Sequence, residues 1–184
     1  MDEERIPFQV TLGAEPYDEL QQLPVVVLLE NLRSAYNVGS FFRTADAAGV
    51  ERLLLCGITA TPPHEGIAKT ALGAEQTVPW EYTSDAVWLA RDIRARGYEI
   101  AVVETRLHAV DLFDWMPRFP VCLVFGNELS GVSDELCAAA DLYVRIPMLG
   151  AKHSLNVATA GGVVIYELLR KYRQLWRSAH LLPR

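Results

Sequence analysis

At 184 residues, 51% hydrophobic and 22% charged, the chain is long enough for one domain with a substantial core, and its composition excludes collagen-like, disordered and disulfide-scaffold classes. No apolar run approaches the roughly 18 residues that span a membrane, and Met1-Asp2-Glu3-Glu4-Arg5 lacks the basic start and apolar stretch of a signal peptide, so a cytoplasmic protein with no membrane partner is expected. The net charge of −6 argues against bulk attraction to nucleic acid, yet residues 1–30 account for all of it, with seven acids against one base, while residues 31–184 carry 16 of each.

Residues 1–23 read as an acidic N-terminal extension, polar and interrupted by Pro7 and Pro16, with one helical turn expected at Tyr17–Gln22. Pro24 then opens the continuous apolar run Val25–Leu29, the pattern of a strand buried on both faces. A helix is predicted over Asn37–Ala48, with Phe41, Ala45 and Ala48 inward and Gly49 as its stop. A strand at Arg52–Cys56 and a weaker one near Thr77–Tyr82 follow. Ser84–Arg96 carries Ala86, Leu89, Ala90 and Ile93 at i, i+3, i+4 and i+7, a helix with one buried stripe that Gly97 ends. Further strands are read at Tyr98–Val103, Val121–Phe125 and Leu142–Ile146, with a Ser-capped helix at Ser133–Ala139 between the last two. A long helix over Ser154–Trp176 closes the domain, which we place at residues 24–172, before a basic tail at 173–184. Strands alternating with helices make this an α/β protein whose sheet is mainly parallel and flanked by helices.

Cys56, Cys122 and Cys137 form no CxxC pair and read as buried thiols, and the four histidines form no HExxH or Cys/His cluster, so no metal is expected. The chain holds no phosphate-cradling G-x-x-x-x-G-K-[ST], no G-x-G-x-x-G after a strand and no G-x-S-x-G elbow. Arg170, Lys171, Arg173, Arg177 and Arg184 follow the last acid, Glu167, and fit either an RNA-facing patch or a solvated helix end whose dipole favours cations.

Three separated segments set polar residues beside apolar runs: Asn37-Val38-Gly39-Ser40-Phe41-Phe42-Arg43-Thr44-Ala45, Val124-Phe125-Gly126-Asn127-Glu128, and Ile146 through Val157, which holds Ser154-Leu155-Asn156. On residues alone each has a plain structural reading. Asn37 suits a helix N-cap, Arg43 a solvated helix face, Gly126 a strand-end connector, and Ser154 a second N-cap with Asn156 in the first turn behind it. Strand ends of open α/β sheets are also where ligands gather. Ser154 with His153 makes a poor nucleophile–base pair, because neighbours at a helix start point apart and no acid is placed to complete a triad.

Taken in this order and spacing, the segments resemble the SpoU (TrmH-like) family of RNA 2′-O-ribose methyltransferases, of the SPOUT or α/β-knot superfamily. The N-x-G-x-x-x-R-[ST]-A pattern is met in full, and the match runs from about Pro24 to Lys171. The resemblance implies a C-terminal trefoil knot, S-adenosylmethionine as methyl donor held by the backbone around Gly126, Ile146 and Leu155, and an RNA side lined by Asn37, Arg43, Glu128, Ser154 and Asn156. It implies a homodimer acting on tRNA or rRNA. Arg33, Lys152 and the Arg170–Arg177 helix end are the basic candidates for RNA contact, and the short acidic extension does not replace the N-terminal RNA-binding domain that some members carry. A SPOUT enzyme methylating a base nitrogen, and a catalytically silent RNA binder, are the alternatives. The Asn37/Arg43 and Ser154/Asn156 pairs favour ribose chemistry over the first, and retention of Arg43 and Asn156 speaks against the second.

Overall fold

Because Val25–Leu29 is apolar at every position, both faces of that strand need covering, and a layer of helices on each side supplies it. The computed structural model describes Leu20 and residues 22–180. In chain order the elements are β1 (Leu23–Glu30), α1 (Ala35–Ala48), β2 (Val50–Cys56), α2 (Glu65–Ala71), α3 (Ala74–Thr77), β3 (Trp80–Thr83), α4 (Ala86–Ala95), β4 (Glu99–Val103), β5 (Val110–Asp111), β6 (Val121–Phe125), α5 (Asp134–Cys137), β7 (Leu142–Arg145) and α6 (Val157–His180). The seven strands form one sheet in the order β3-β2-β1-β6-β4-β7-β5, with every neighbouring pair parallel.

Alternation along the strands divides the interior into two cores. Val25, Val27 and Leu29 pack with Phe41 and Ala45 of α1, Ile67 of α2 and Ile165 and Leu168 of α6. Val26 and Leu28 face the other way, onto Leu89, Ala90 and Ile93 of α4 and Leu136 of α5. The strand order reverses direction between β1 and β6, and such a reversal leaves a crevice at the carboxyl ends of the strands.

The predicted strands and helices are present, with shifts at their ends. β1 starts at Leu23, one residue before Pro24, and its pairing with β2 is irregular between Leu23 and Val26, where the proline offers no N–H. Ser34, not Asn37, caps α1: its hydroxyl accepts from the Asn37 backbone N–H at 3.3 Å, and Gly49 closes the helix at φ 66°. Thr77 belongs to α3, so the strand expected near Thr77–Tyr82 begins only at Trp80. The helices α2 and α3 and the two-residue β5 are too short for a periodic pattern to announce. α6 begins at Val157, three residues after Ser154, and runs on to His180. The extension at 1–23 lies outside the described residues except for Leu20, Gln22 and Leu23, as does Arg184.

The paired glycines of α6 separate into two cases. A Cβ on Gly161 would stand 2.2 Å from Cε1 of Phe41, so α6 crosses α1 at a contact only glycine allows, whereas a Cβ on Gly162 would meet nothing within 4 Å. Further along, the buried Lys171 donates to the carbonyls of Leu112 (2.8 Å), Phe113 (3.3 Å) and Trp115, anchoring the β5–β6 connection to α6. Two substitutions test the crossing. Gly161→Ala should cost about 1–3 kcal/mol through overpacking, and Gly162→Ala should gain about 0.5–1 kcal/mol from helix propensity. Urea denaturation of both variants checks this; equal effects at the two positions would contradict the packing described.

Candidate active site

The site grows from the end of β6. Gly126 is buried, and a Cβ there would lie 2.3 Å from the backbone of Gly131 and Val132, so the chain can double back immediately. Asn127 and Gly131 close that turn with N–H···O bonds of 3.0 and 2.9 Å. The Asn127 side chain holds it by accepting from the N–H groups of Leu129 and Ser130 and donating to the Asn31 carbonyl.

The turn presents Glu128 to the segment entering α1. Its Oε2 accepts from the Arg33 N–H at 3.0 Å, and its Oε1 accepts from the Ser34 N–H at 3.3 Å and from Asn37 Nδ2 at 3.0 Å. Asn37 Oδ1 in turn accepts from Asn156 Nδ2 at 3.2 Å, and Asn156 Oδ1 accepts from the N–H groups of Ala158 (2.9 Å) and Thr159 (3.3 Å). The roles read from residues alone therefore change. Asn156 caps α6 and Ser154 does not, while Asn37 is the middle member of a hydrogen-bonded chain that joins all three segments. Partial burial would raise the Glu128 carboxyl, but the N–H donors of Arg33, of Glu128 itself, of Asn37 and of Ser34 outweigh it and hold the group below the ordinary range.

Beside this chain lies a cleft of about 610 Å³ at the carboxyl ends of β4, β6 and β7. Gly126, Glu128, Ile146, Ser154, Leu155 and Asn156 all line it. Apolar surface from Val103, Met148, Val157 and Ala160 sits beside polar groups of Thr105 and Asn127. Asn37 meets the cleft through its bonds to Glu128 and Asn156. Arg43 is not brought there. It lies six residues beyond Asn37, about 9 Å along α1, and lines a separate hollow of about 450 Å³ with Ser40, Thr44, Lys69 and Tyr166. Its side chain is exposed, with no hydrogen bond or ion pair among the described residues. Arg33 and Lys152 are exposed near the cleft mouth, but Arg170 is paired with Glu167 at 2.6 Å and Lys171 is turned inward. Sequence reasoning did not single out Glu104, which also lines the cleft; its one signal is that it is the first polar residue after the Tyr98–Val103 run.

A profile of the SpoU rRNA Methylase family matches residues 24–166. The chain is 32% identical over 157 residues to a putative TrmH family tRNA/rRNA methyltransferase of Staphylococcus haemolyticus, an alignment covering 85% of this chain and 63% of that protein. It thus spans less than two thirds of that relative's length. Among solved structures, an AdoMet-bound rRNA methyltransferase from Sinorhizobium meliloti superposes with a TM-score of 0.74 at 31% identity, over 79% of this chain and 56% of that one. A structure described for 2-OH methylation of C/U34 on tRNA superposes with a TM-score of 0.71 at 27% identity, over 82% and 97%.

A carboxylate with a lowered folded-state pKa stabilises the fold above its unfolded value, about 4.3, and that contribution is lost as the pH falls through the folded value. Glu128→Gln should therefore be less stable than the parent at pH 7, with the gap narrowing as the pH drops below about 4. Denaturation midpoints of the two proteins across this range measure it, and a gap independent of pH would contradict the role given to Glu128.

Proposed function

This chain belongs to the SpoU rRNA Methylase family, and from that premise we propose that it transfers the methyl group of S-adenosylmethionine to a ribose 2′-hydroxyl in tRNA or rRNA. The observation that carries the reading is the chain of hydrogen bonds Glu128–Asn37–Asn156, which gathers the three family segments at the mouth of one cleft. The likeness to a structure described for 2-OH methylation on tRNA supports ribose over base chemistry, and the likeness to an AdoMet-bound enzyme supports the donor.

The cleft suits that donor chemically. Its apolar wall fits an adenine ring, and the backbone at Gly126, Ile146 and Leu155 would hold the nucleoside. When bound, the donor supplies an electrophilic methyl on a sulfonium, so the work left to the protein is placing the hydroxyl in line. Asn37, Asn156 and Ser154 orient the ribose, and Glu128 keeps the two asparagines in register. Arg43 stays protonated, as a guanidinium does in proteins. With no partner among the described residues, it takes the phosphate next to the acceptor and offsets the developing alkoxide charge.

Arg43 lies outside the cleft of its own protomer, so the second task favours a homodimer. Tyr36, Val163 and Tyr166 are exposed on α1 and α6, and a second copy packed on that face would bring the Arg43 of one copy toward the cleft of the other. Arg33 and Lys152 extend the RNA path at the mouth, and the trefoil knot would be formed by the segments that line the cleft.

The test is nucleoside mass spectrometry of tRNA and rRNA, taken from cells lacking this protein and incubated with it and methyl-labelled donor. Label on a ribose 2′-oxygen is expected, and label on a base would overturn the acceptor assignment. Arg43→Ala should reduce turnover to background with donor affinity within about twofold, since the residue holds charge in the transition state and not the donor. Arg43→Ala and Asn156→Ala, each inactive alone, should recover activity when co-expressed; no recovery would place Arg43 in the service of its own protomer.

A further inference from the structure

We infer that Glu104 is a specificity-determining residue of the donor site, the acid that takes the ribose diol of the bound adenosine. The inference rests on the proposed reading of the cleft as a nucleoside site.

Glu104 and Glu128 are the two acidic residues lining the cleft. Glu128 has both carboxylate oxygens engaged by N–H donors from the α1 entry. Glu104 has one oxygen engaged: Oε1 accepts from the Val132 N–H at 3.3 Å, and Oε2 accepts no hydrogen bond among the described residues. Glycine at position 131 makes room for that contact. A Cβ on Gly131 would stand 2.3 Å from Oε1, and Gly131 has φ 73°, so only glycine there lets the side chain reach Val132. The nearest cation in sequence, Arg106, is turned away, over the Tyr143 ring and onto Cys137 Sγ.

The two asparagines that line the cleft are already engaged. Asn127 uses its oxygen within the turn and its nitrogen on the Asn31 carbonyl, and Asn156 uses its oxygen to cap α6. A nucleoside ribose offers two adjacent O–H donors and needs acceptors. In dinucleotide-binding α/β folds, likewise, an acid near the glycine turn accepts a ribose hydroxyl. Glu104 directly follows β4, which is hydrogen-bonded to β6 and its Gly126 turn. It is thus an anchored carboxylate with a free oxygen, at the place where that chemistry occurs.

Calorimetric titration of the full chain with S-adenosylhomocysteine and with its 2′,3′-dideoxy counterpart tests the inference, using the parent, Glu104→Ala and Glu104→Gln. The parent should bind the dideoxy ligand about 10- to 100-fold more weakly, the range for hydrogen bonds to a charged acceptor. Glu104→Ala should lose the same factor toward the intact ligand and bind both ligands alike, with Glu104→Gln between. A merely structural role for Glu104 would weaken both ligands equally and leave the diol preference intact, which would overturn the inference. So would a parent that binds both ligands alike. A parent that binds neither would overturn the nucleoside reading of the cleft itself, a result visible before any variant is made.

Discussion

Glu30 and Glu128, at the ends of neighbouring strands, each hold the segment that follows the other's strand. Glu30, the last residue of β1, accepts from the backbone N–H and hydroxyl of Ser133, which caps α5 after β6. Glu128, just past β6, accepts from the entry to α1 after β1. Charge-assisted bonds to backbone N–H groups are stronger than neutral ones and define direction, so this reciprocal clamp sets where both helices begin. α1 then places Asn37, and Asn37 places Asn156 at the start of α6. The carboxyl-end crevice owes its shape to two acids on strands that pair in the sheet yet lie far apart in sequence.

Much of this architecture was legible because burial imposes a period. Val25–Leu29 and Val121–Phe125 could be read as two-sided strands, and the buried stripe of α4 emerged as Ala86, Leu89, Ala90 and Ile93. α2 and α3 escaped because 7- and 4-residue helices complete too few turns to show a stripe. At the site, residue types marked the segments but not their meeting. Asn37 suits a cap by residue type, but Ser34, three residues earlier, has the same capping ability and takes the task. The helical period shows that Arg43 leaves the core face, but not which hollow that face overlooks. That three distant segments should adjoin came from family likeness, since no local rule relates residue 37 to residue 156.

α6 is fastened at both ends by unlike chemistry. Near its start Asn156 binds α1 through Asn37, and about two and a half turns before its end Lys171 sits buried against three carbonyls of the β5–β6 connection. Between them Gly161 lets α6 lie directly on the Phe41 ring. The helix therefore ties the cleft to the β5 edge of the sheet, beside β7.

Counting protons at the two asparagines gives the site a polarity of its own. A carboxamide has two N–H hydrogens and two lone pairs on its oxygen. Asn156 has filled both lone pairs with the backbone of α6 and given one hydrogen to Asn37, and Asn37 has given one hydrogen to Glu128 and received one from Asn156. What remains is one hydrogen on Asn156, and one hydrogen and one lone pair on Asn37. A group seated between them meets two donors and one acceptor. The mouth thus offers more to a ligand atom rich in lone pairs than to one rich in protons.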